Sequence, residues 1–142
     1  MANKLFLDTN IILDYTLERK GEIVEIESLF ELAEEEKIEL YVSESVLATT
    51  LYFLQKSRLN VLSIVRELCA VINVIPFKKD ILFFPLEQYK DTEDGLLYFI
   101  AVNGKMNYFI TRNTKDFVFT LPSLPIITPG KFLKEIFNDL QK

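Results

Sequence analysis

The chain has 142 residues, 49% of them apolar, and a formal net charge of −5, which predicts one globular domain over residues 1–142. It contains no histidine and one cysteine, which excludes a Ser-His-Asp triad, an internal disulfide and a zinc site built from histidine or cysteine. No apolar run is long enough to span a membrane and no signal peptide is recognisable, so we expect a cytoplasmic protein with no membrane partner.

Along the chain, the apolar pattern alternates between the period of a strand and the period of a helix. Strands are predicted at residues 4–8, 38–43, 71–77, 108–111 and 125–128. Helices are predicted at residues 22–36, 44–57, 60–70 and 93–103, after Pro129, and over 80–90 with a break near Pro85. Strands separated by helices form right-handed crossovers, so we expect an α/β protein with a central, mainly parallel sheet covered on both faces. The lone Cys69 has apolar neighbours, which predicts an inert core position.

Acidic residues follow the predicted strands at positions that share one edge of the sheet. Asp8 ends the first strand, Asp94 opens the helix at 93–103, and Asp116 follows the strand at 108–111. Parallel strands bring their carboxyl ends to the same edge, where α/β proteins form their sites. Without histidine or further cysteine, a metal site must use oxygen ligands, which favours Mg²⁺ or Mn²⁺.

Each acidic residue also has a purely structural explanation. Asp8 or Asn10 can cap the helix that follows the first strand, and Asp91 or Glu93 can cap the later helix. Asp116 can close a loop by accepting backbone hydrogen bonds. Their occurrence together at equivalent strand ends nevertheless favours a metal site over three unrelated caps. Asp14, further along the first helix, is predicted to lie at the surface.

Three stretches of the sequence, in this order, resemble the PIN domain family: "FLDTNIILD", "DTEDGLLYFIA" and "FITRNTKDF". The likeness is strongest to the VapC-like toxin ribonucleases of prokaryotic toxin–antitoxin pairs. It implies a three-layer α/β/α PIN-like fold and an endoribonuclease that depends on Mg²⁺ or Mn²⁺.

The resemblance also assigns roles to residues. It implies that Asp8, Asp94 and Asp116 bind the metal ion and act in catalysis. The residues expected to support this site are Asn10, Thr49, Glu93, Thr111 and Asn113.

Two of these supporting positions depart from the family pattern. Thr49 and Asn113 occupy positions that the family usually fills with acidic residues. Glu44, five residues before Thr49, lies on another face of the same helix and is not expected to replace the missing carboxylate. The sequence therefore predicts weaker metal binding than in typical relatives. It keeps open an alternative function, a catalytically weak or inactive RNA- or protein-binding module.

RNA is the expected substrate, and single-stranded segments are the accessible targets. The net charge of −5 argues against a broad basic surface, so a few basic side chains near the carboxylates should contact the RNA backbone. These candidates are Arg112, Lys115, Lys56 and Arg58, together with Lys90 just before "DTED". The resemblance also implies two protein partners, an antitoxin and a second copy of the chain.

Overall fold

The computed structural model describes residues 2–19, 21–57 and 59–138. Its centre is a sheet of five parallel strands in the order β3-β2-β1-β4-β5. The strands are β1 (Asn3–Leu7), β2 (Ile38–Ser43), β3 (Ile72–Ile75), β4 (Tyr108–Ile110) and β5 (Ile126–Ile127). The chain moves outward from β1 in one direction to β3 and then returns to β4 on the other side. The strand order therefore reverses between β1 and β4, where α/β sheets place their sites.

Helices join the strands and cover the sheet, as the sequence pattern predicts. They are α1 (Thr9–Thr16), α2 (Ile23–Glu34), α3 (Glu44–Lys56), α4 (Val61–Cys69), α5 (Thr92–Asn103) and α6 (Pro129–Lys131), which a wider π-type helix continues over Phe132–Phe137. The segment around Pro85 forms two short 3₁₀ helices, Lys79–Phe83 and Leu86–Gln88. The predicted α/β fold with a parallel sheet is confirmed.

None of the helices in the described ranges is long and apolar enough to cross a membrane.

Helix α5 is buried on almost every side and positions the first turn that carries Asp94. Its central residues Leu97, Tyr98 and Phe99 are each at most 2% exposed. At Gly95 a Cβ atom would lie 2.8 Å from Cδ2 of Tyr89, so only glycine lets the helix approach that ring so closely. The first turn of α5 is therefore fixed by packing against the core.

Two positions differ from the sequence-based prediction. Asp14 is 2% exposed rather than at the surface. Its carboxylate is covered by Arg19, which follows α1, and by Arg112, which follows β4. Cys69 is exposed rather than in the core. It is the last residue of α4, and the buried face of that helix turn carries Leu68 instead.

Candidate active site

Asp8 both caps α1 and faces the site. Its Oδ1 accepts a hydrogen bond of 2.8 Å from the backbone N–H of Thr9, and its Oδ2 accepts one of 2.9 Å from the hydroxyl of Thr111. The Asp8 backbone N–H donates to the carbonyl of Ile110, the last residue of β4. Asp8 therefore joins the carboxyl ends of β1 and β4, and the capping and site interpretations of this residue are compatible.

Burial dominates the electrostatics of Asp8, which is 7% exposed. Loss of solvation raises the pKa of the Asp8 carboxyl, and the negative charge of Glu93 adds to this rise. The hydrogen bonds from Thr111 and Thr9 and the positive charge of Arg112 oppose it. The carboxylate is thus held in place by neutral donors, while its charge is left largely uncompensated.

Asp94 lies on the first turn of α5, behind the helix cap. The cap is Asp91, whose Oδ1 accepts a hydrogen bond of 2.9 Å from the backbone N–H of Glu93. Asp91 is therefore the N-cap of α5, as one of the two structural explanations predicted, and Asp94 is not needed to cap the helix. Burial, followed by the charges of Asp91, Asp8 and Asp116, raises the pKa of Asp94 to about 7. Three segments far apart in sequence therefore interact electrostatically at this point.

The segment after β4 positions two carboxylates through neutral polar groups. Thr111, 1% exposed, donates to Asp8 and accepts a hydrogen bond of 3.2 Å from the backbone N–H of Asn113. The Nδ2 of Asn113 donates to Oδ2 of Asp116 at 2.6 Å. Asn113 thus takes a supporting role beside Asp116, while Thr111 supports Asp8.

These carboxylates line one cavity of about 270 Å³. Its polar wall contains the three predicted carboxylates and three of the predicted supporting residues: Asp8, Asp94, Asp116, Asn10, Glu93 and Asn113. Thr111 lies behind Asp8. Thr49, half-buried on α3, is not part of the wall; Phe53, one turn further along that helix, lines the cavity instead.

The predicted RNA-contact residues lie at different places around this cavity. Lys115 and Lys90 line an adjoining cavity that shares Asp91, Asp94 and Asp116 with the first. Arg112 binds Asp14 beside the site. Lys56 lies near the end of α3, with its Nζ 5.8 Å from the centre of the Tyr52 ring. Arg58 lies outside the described residues.

The donor set of the cavity suits a hard, hydrated cation. Among the described residues, every polar side chain of the wall except Arg19 offers oxygen or amide groups, and the buried hydroxyl of Thr9 has no hydrogen-bond partner there. Within those residues no three acidic side chains lie close enough to hold one ion. Mg²⁺ usually takes one or two carboxylates and keeps several waters. The residues present therefore fit a partly hydrated ion rather than a closed cage.

The sequence alone does not predict that Arg19 and Phe53 line this wall, or that Asp14 is buried. Arg19 follows α1 in an irregular segment with no motif, and Phe53 is one of several apolar residues on α3. For Asp14, the available signal was an acidic residue on the helix that Asp8 caps. Its burial, however, depends on partners that only the fold brings near.

Carboxylates gathered at the switch point of a parallel sheet define an α/β protein with a candidate metal-binding site. A PIN domain model matches residues 4–115 of the chain, which therefore belongs to the PIN domain family. The chain is 27% identical over 138 residues to Ribonuclease VapC1 of Aquifex aeolicus (strain VF5), covering 92% of this chain and 94% of that protein.

Two solved structures have the same fold. One is VapBC2 from Rickettsia felis bound to a DNA fragment from its promoter, with a TM-score of 0.68, 22% identity, and coverage of 88% of this chain and 98% of that one. The other is a toxin–antitoxin complex from Klebsiella pneumoniae, with a TM-score of 0.66, 22% identity, and coverage of 88% and 97%. At these identities the likeness establishes the fold.

Proposed function

We propose that this protein, as a single domain over residues 1–142, is a metal-dependent endoribonuclease that hydrolyses phosphodiester bonds in RNA. We further propose that it is the toxin of a type II toxin–antitoxin pair and acts in the cytoplasm, where its RNA substrates are. The observation that carries the proposal is the electrostatic coupling of Asp94 to Asp8 and Asp116 in one cavity. A group of uncompensated carboxylates is unfavourable unless a cation binds among them. The similarity to a named ribonuclease supports the choice of RNA.

In this proposal Asp8 and Asp94 bind Mg²⁺ or Mn²⁺ directly, and Asp116 binds the ion through one of the waters that complete its coordination. The ion, when bound, polarises a phosphoryl oxygen and offsets the charge that develops on it. Thr111 keeps Asp8 oriented, and Asn113 keeps Asp116 oriented. Hydrolysis adds a water oxygen to phosphorus and breaks one P–O bond, and the oxygen that leaves takes up a proton from solvent. Asp116, the exposed member of the three, accepts the proton that the water loses.

Basic residues must offset the negative charge of this cavity before RNA can approach. Lys115 and Lys90 border the adjoining cavity beside Asp94 and Asp116, where each can contact a phosphate of the bound strand. Their long side chains contribute mainly charge rather than fixed geometry. We therefore expect them to help bind RNA of any sequence, because phosphate contacts carry no sequence information directly.

A specific observation favours the alternative of a catalytically weak or inactive binding module. Thr49 lies away from the cavity wall, Asn113 is neutral, and the described residues contain no three-carboxylate group placed to hold an ion. Such a module would keep the fold and the RNA-binding surface but would bind metal weakly. The two functions differ in one measurable respect, RNA cleavage that depends on Mn²⁺.

The test is cleavage of labelled single-stranded RNA by purified protein with Mn²⁺ or with EDTA. Wild-type protein should cleave with Mn²⁺ only, and Asp94→Asn should lose at least a hundredfold in rate, on the order of the loss when one electrostatic catalytic group is removed. Asp80→Asn is the matched control, because Asp80 is exposed and lies outside the cavity wall. Full activity of Asp94→Asn, or no cleavage by the wild type, would contradict the catalytic proposal.

For the antitoxin, a groove between α1, α2 and α4 is the surface we propose. Its floor contains Tyr15 stacked on Phe30 with ring centroids 3.8 Å apart. Five glutamates also line the groove: Glu18, Glu27, Glu31, Glu34 and Glu67. An apolar floor with an acidic rim complements a basic amphipathic segment. A homodimer stays a prediction, for which Phe83, 86% exposed, offers an apolar contact.

A further inference from the structure

The proposed mechanism leaves one buried charged group unused. Asp14 lies on α1 and is 2% exposed. Burying a carboxylate is costly unless cations and hydrogen bonds compensate it. Both oxygens of Asp14 contact Nη1 of Arg112, at 3.3 Å and 3.2 Å, and Oδ1 also lies 3.9 Å from Nη1 of Arg19. One buried anion therefore holds two guanidinium groups.

These two arginines lie beside the carboxylate cavity. Arg19 is part of its wall, together with Asp8 and Asp94. Arg112 directly follows Thr111, the residue that donates to Asp8, and its positive charge opposes the rise that burial causes in the pKa of Asp8. The helix that Asp8 caps also carries Asp14, so α1 fixes the acidic cavity and the arginine pair relative to each other.

Both guanidinium groups remain accessible while they are held. The side chains of Arg112 and Arg19 are 41% and 35% exposed. A guanidinium group has five N–H donors, and the ion-pair contacts found for these two arginines in the described residues use only Nη1 of each. Their other N–H donors have no hydrogen-bond partner among the described residues. Arginine binds phosphate oxygens in bidentate fashion, and a group that is already oriented loses less entropy on binding.

We propose that Asp14 is a positioning residue that fixes Arg112 and Arg19 as a two-arginine clamp for a backbone phosphate of single-stranded RNA. This inference rests on the proposed function and names what brings the substrate to the carboxylates. Two arginines and one aspartate leave a net positive charge beside an acidic cavity. The clamp therefore attracts a phosphate to a place where the carboxylates alone would repel it.

The clamp is tested by RNA binding, separately from cleavage. A fluorescein-labelled single-stranded RNA is titrated in Mg²⁺ with proteins that carry Asp94→Asn, so that the RNA stays intact. Adding Arg112→Ala or Arg19→Ala should raise Kd about tenfold, the usual effect of losing a hydrogen bond to a charged group. Each should also reduce the slope of log K against log salt by about 0.7, the value for one phosphate contact with single-stranded nucleic acid.

The matched control is Arg66→Ala, since Arg66 is exposed on α4 and lines neither the carboxylate cavity nor the adjoining one. Asp14→Asn keeps both arginines and should raise Kd while the salt slope stays close to that of the parent. Arg112→Lys should restore the slope but only part of the affinity, because lysine lacks the fork of donors. Melting temperatures check that every variant is folded at the assay temperature.

In the wild-type background, Arg112→Ala should raise KM for RNA about tenfold and leave kcat within about twofold. If Arg112→Ala and Asp14→Asn bind RNA as Arg66→Ala does, the clamp is wrong even when the wild type cleaves RNA. If the wild type does not cleave RNA but Kd and the salt slope change as expected, the proposed catalytic function is wrong and the clamp stands as an RNA-binding device.

Discussion

Replacing Asp94 with asparagine should make the protein more stable at pH 8 and leave its stability at pH 4 almost unchanged. The pKa of Asp94 is raised from its ordinary value of 3.8 to about 7, mainly by burial and by neighbouring carboxylates. The folded state therefore binds this proton more tightly than the unfolded chain does. Stability due to the protonated group is fully present below about pH 4 and is lost as pH rises towards 7.

The size of the effect follows from the same pKa values. The difference between 3.8 and about 7 corresponds to roughly 4 kcal/mol at most. Asp94 is partly exposed, so screening by solvent reduces the expected gain to about 1–2 kcal/mol. For a chain of this length, that gain raises the melting temperature by about 3–7 °C. Asparagine has nearly the shape of aspartate, so packing around α5 should not change.

Thermal or denaturant unfolding at pH 4, 6 and 8 measures this difference, with Asp80→Asn as the control for removal of an exposed charge. The gain should grow between pH 4 and pH 8 for Asp94→Asn and stay near zero for Asp80→Asn. A loss of stability at pH 8 would contradict this prediction, because it would mean that the Asp94 carboxylate stabilises the metal-free fold. A gain of equal size at all three pH values would also refute it.

Three further predictions concern the same cavity. Thr111→Val removes the hydroxyl that donates to Asp8 and should lower the free energy of unfolding by about 2 kcal/mol, which denaturant titration measures; an unchanged value would mean that this hydrogen bond does not support the fold. Asn113→Asp places a second carboxylate against Asp116, so without metal it should lower the melting temperature. With metal it should tighten Mn²⁺ binding about tenfold by adding a charged ligand, and weaker binding by calorimetry would contradict this. Mn²⁺ at 100 times the Kd measured at pH 8 should stabilise the wild type by about 2.7 kcal/mol at that pH. The same Mn²⁺ concentration should stabilise it less at pH 6, where protons compete for the carboxylates.

The sequence predicted the fold well because its elements have clear local signals. The β1 residues Leu5, Phe6 and Leu7 are a continuous apolar run, typical of a strand buried on both faces, and all three are 0% exposed. The break at Pro85 was also predicted, since proline interrupts a helix for local reasons. Chain order and the handedness of crossovers then leave few arrangements of a parallel sheet.

Side-chain partners across the sheet were harder to predict. Nothing local indicates that Asp14 meets Arg112, which is 98 positions away, so a surface position was the natural expectation. Thr49 was placed by comparison with a family pattern, whereas the orientation of α3 directs Phe53 towards the cavity. The residues near Asp8 were predicted because each ends a strand or begins a helix, and the edge of the sheet fixes where those ends lie.

The most direct test of the metal site is an anomalous difference map from a crystal of this protein soaked in Mn²⁺. We expect a peak in the cavity, with oxygen atoms of Asp8 and Asp94 at about 2.0–2.2 Å from the ion, a distance typical of hard divalent cations with carboxylate ligands. Waters should complete the coordination, and Asp94→Asn should remove the peak. No peak at this position, or a peak only in the glutamate-lined groove between α1, α2 and α4, would contradict a metal site at Asp8 and Asp94.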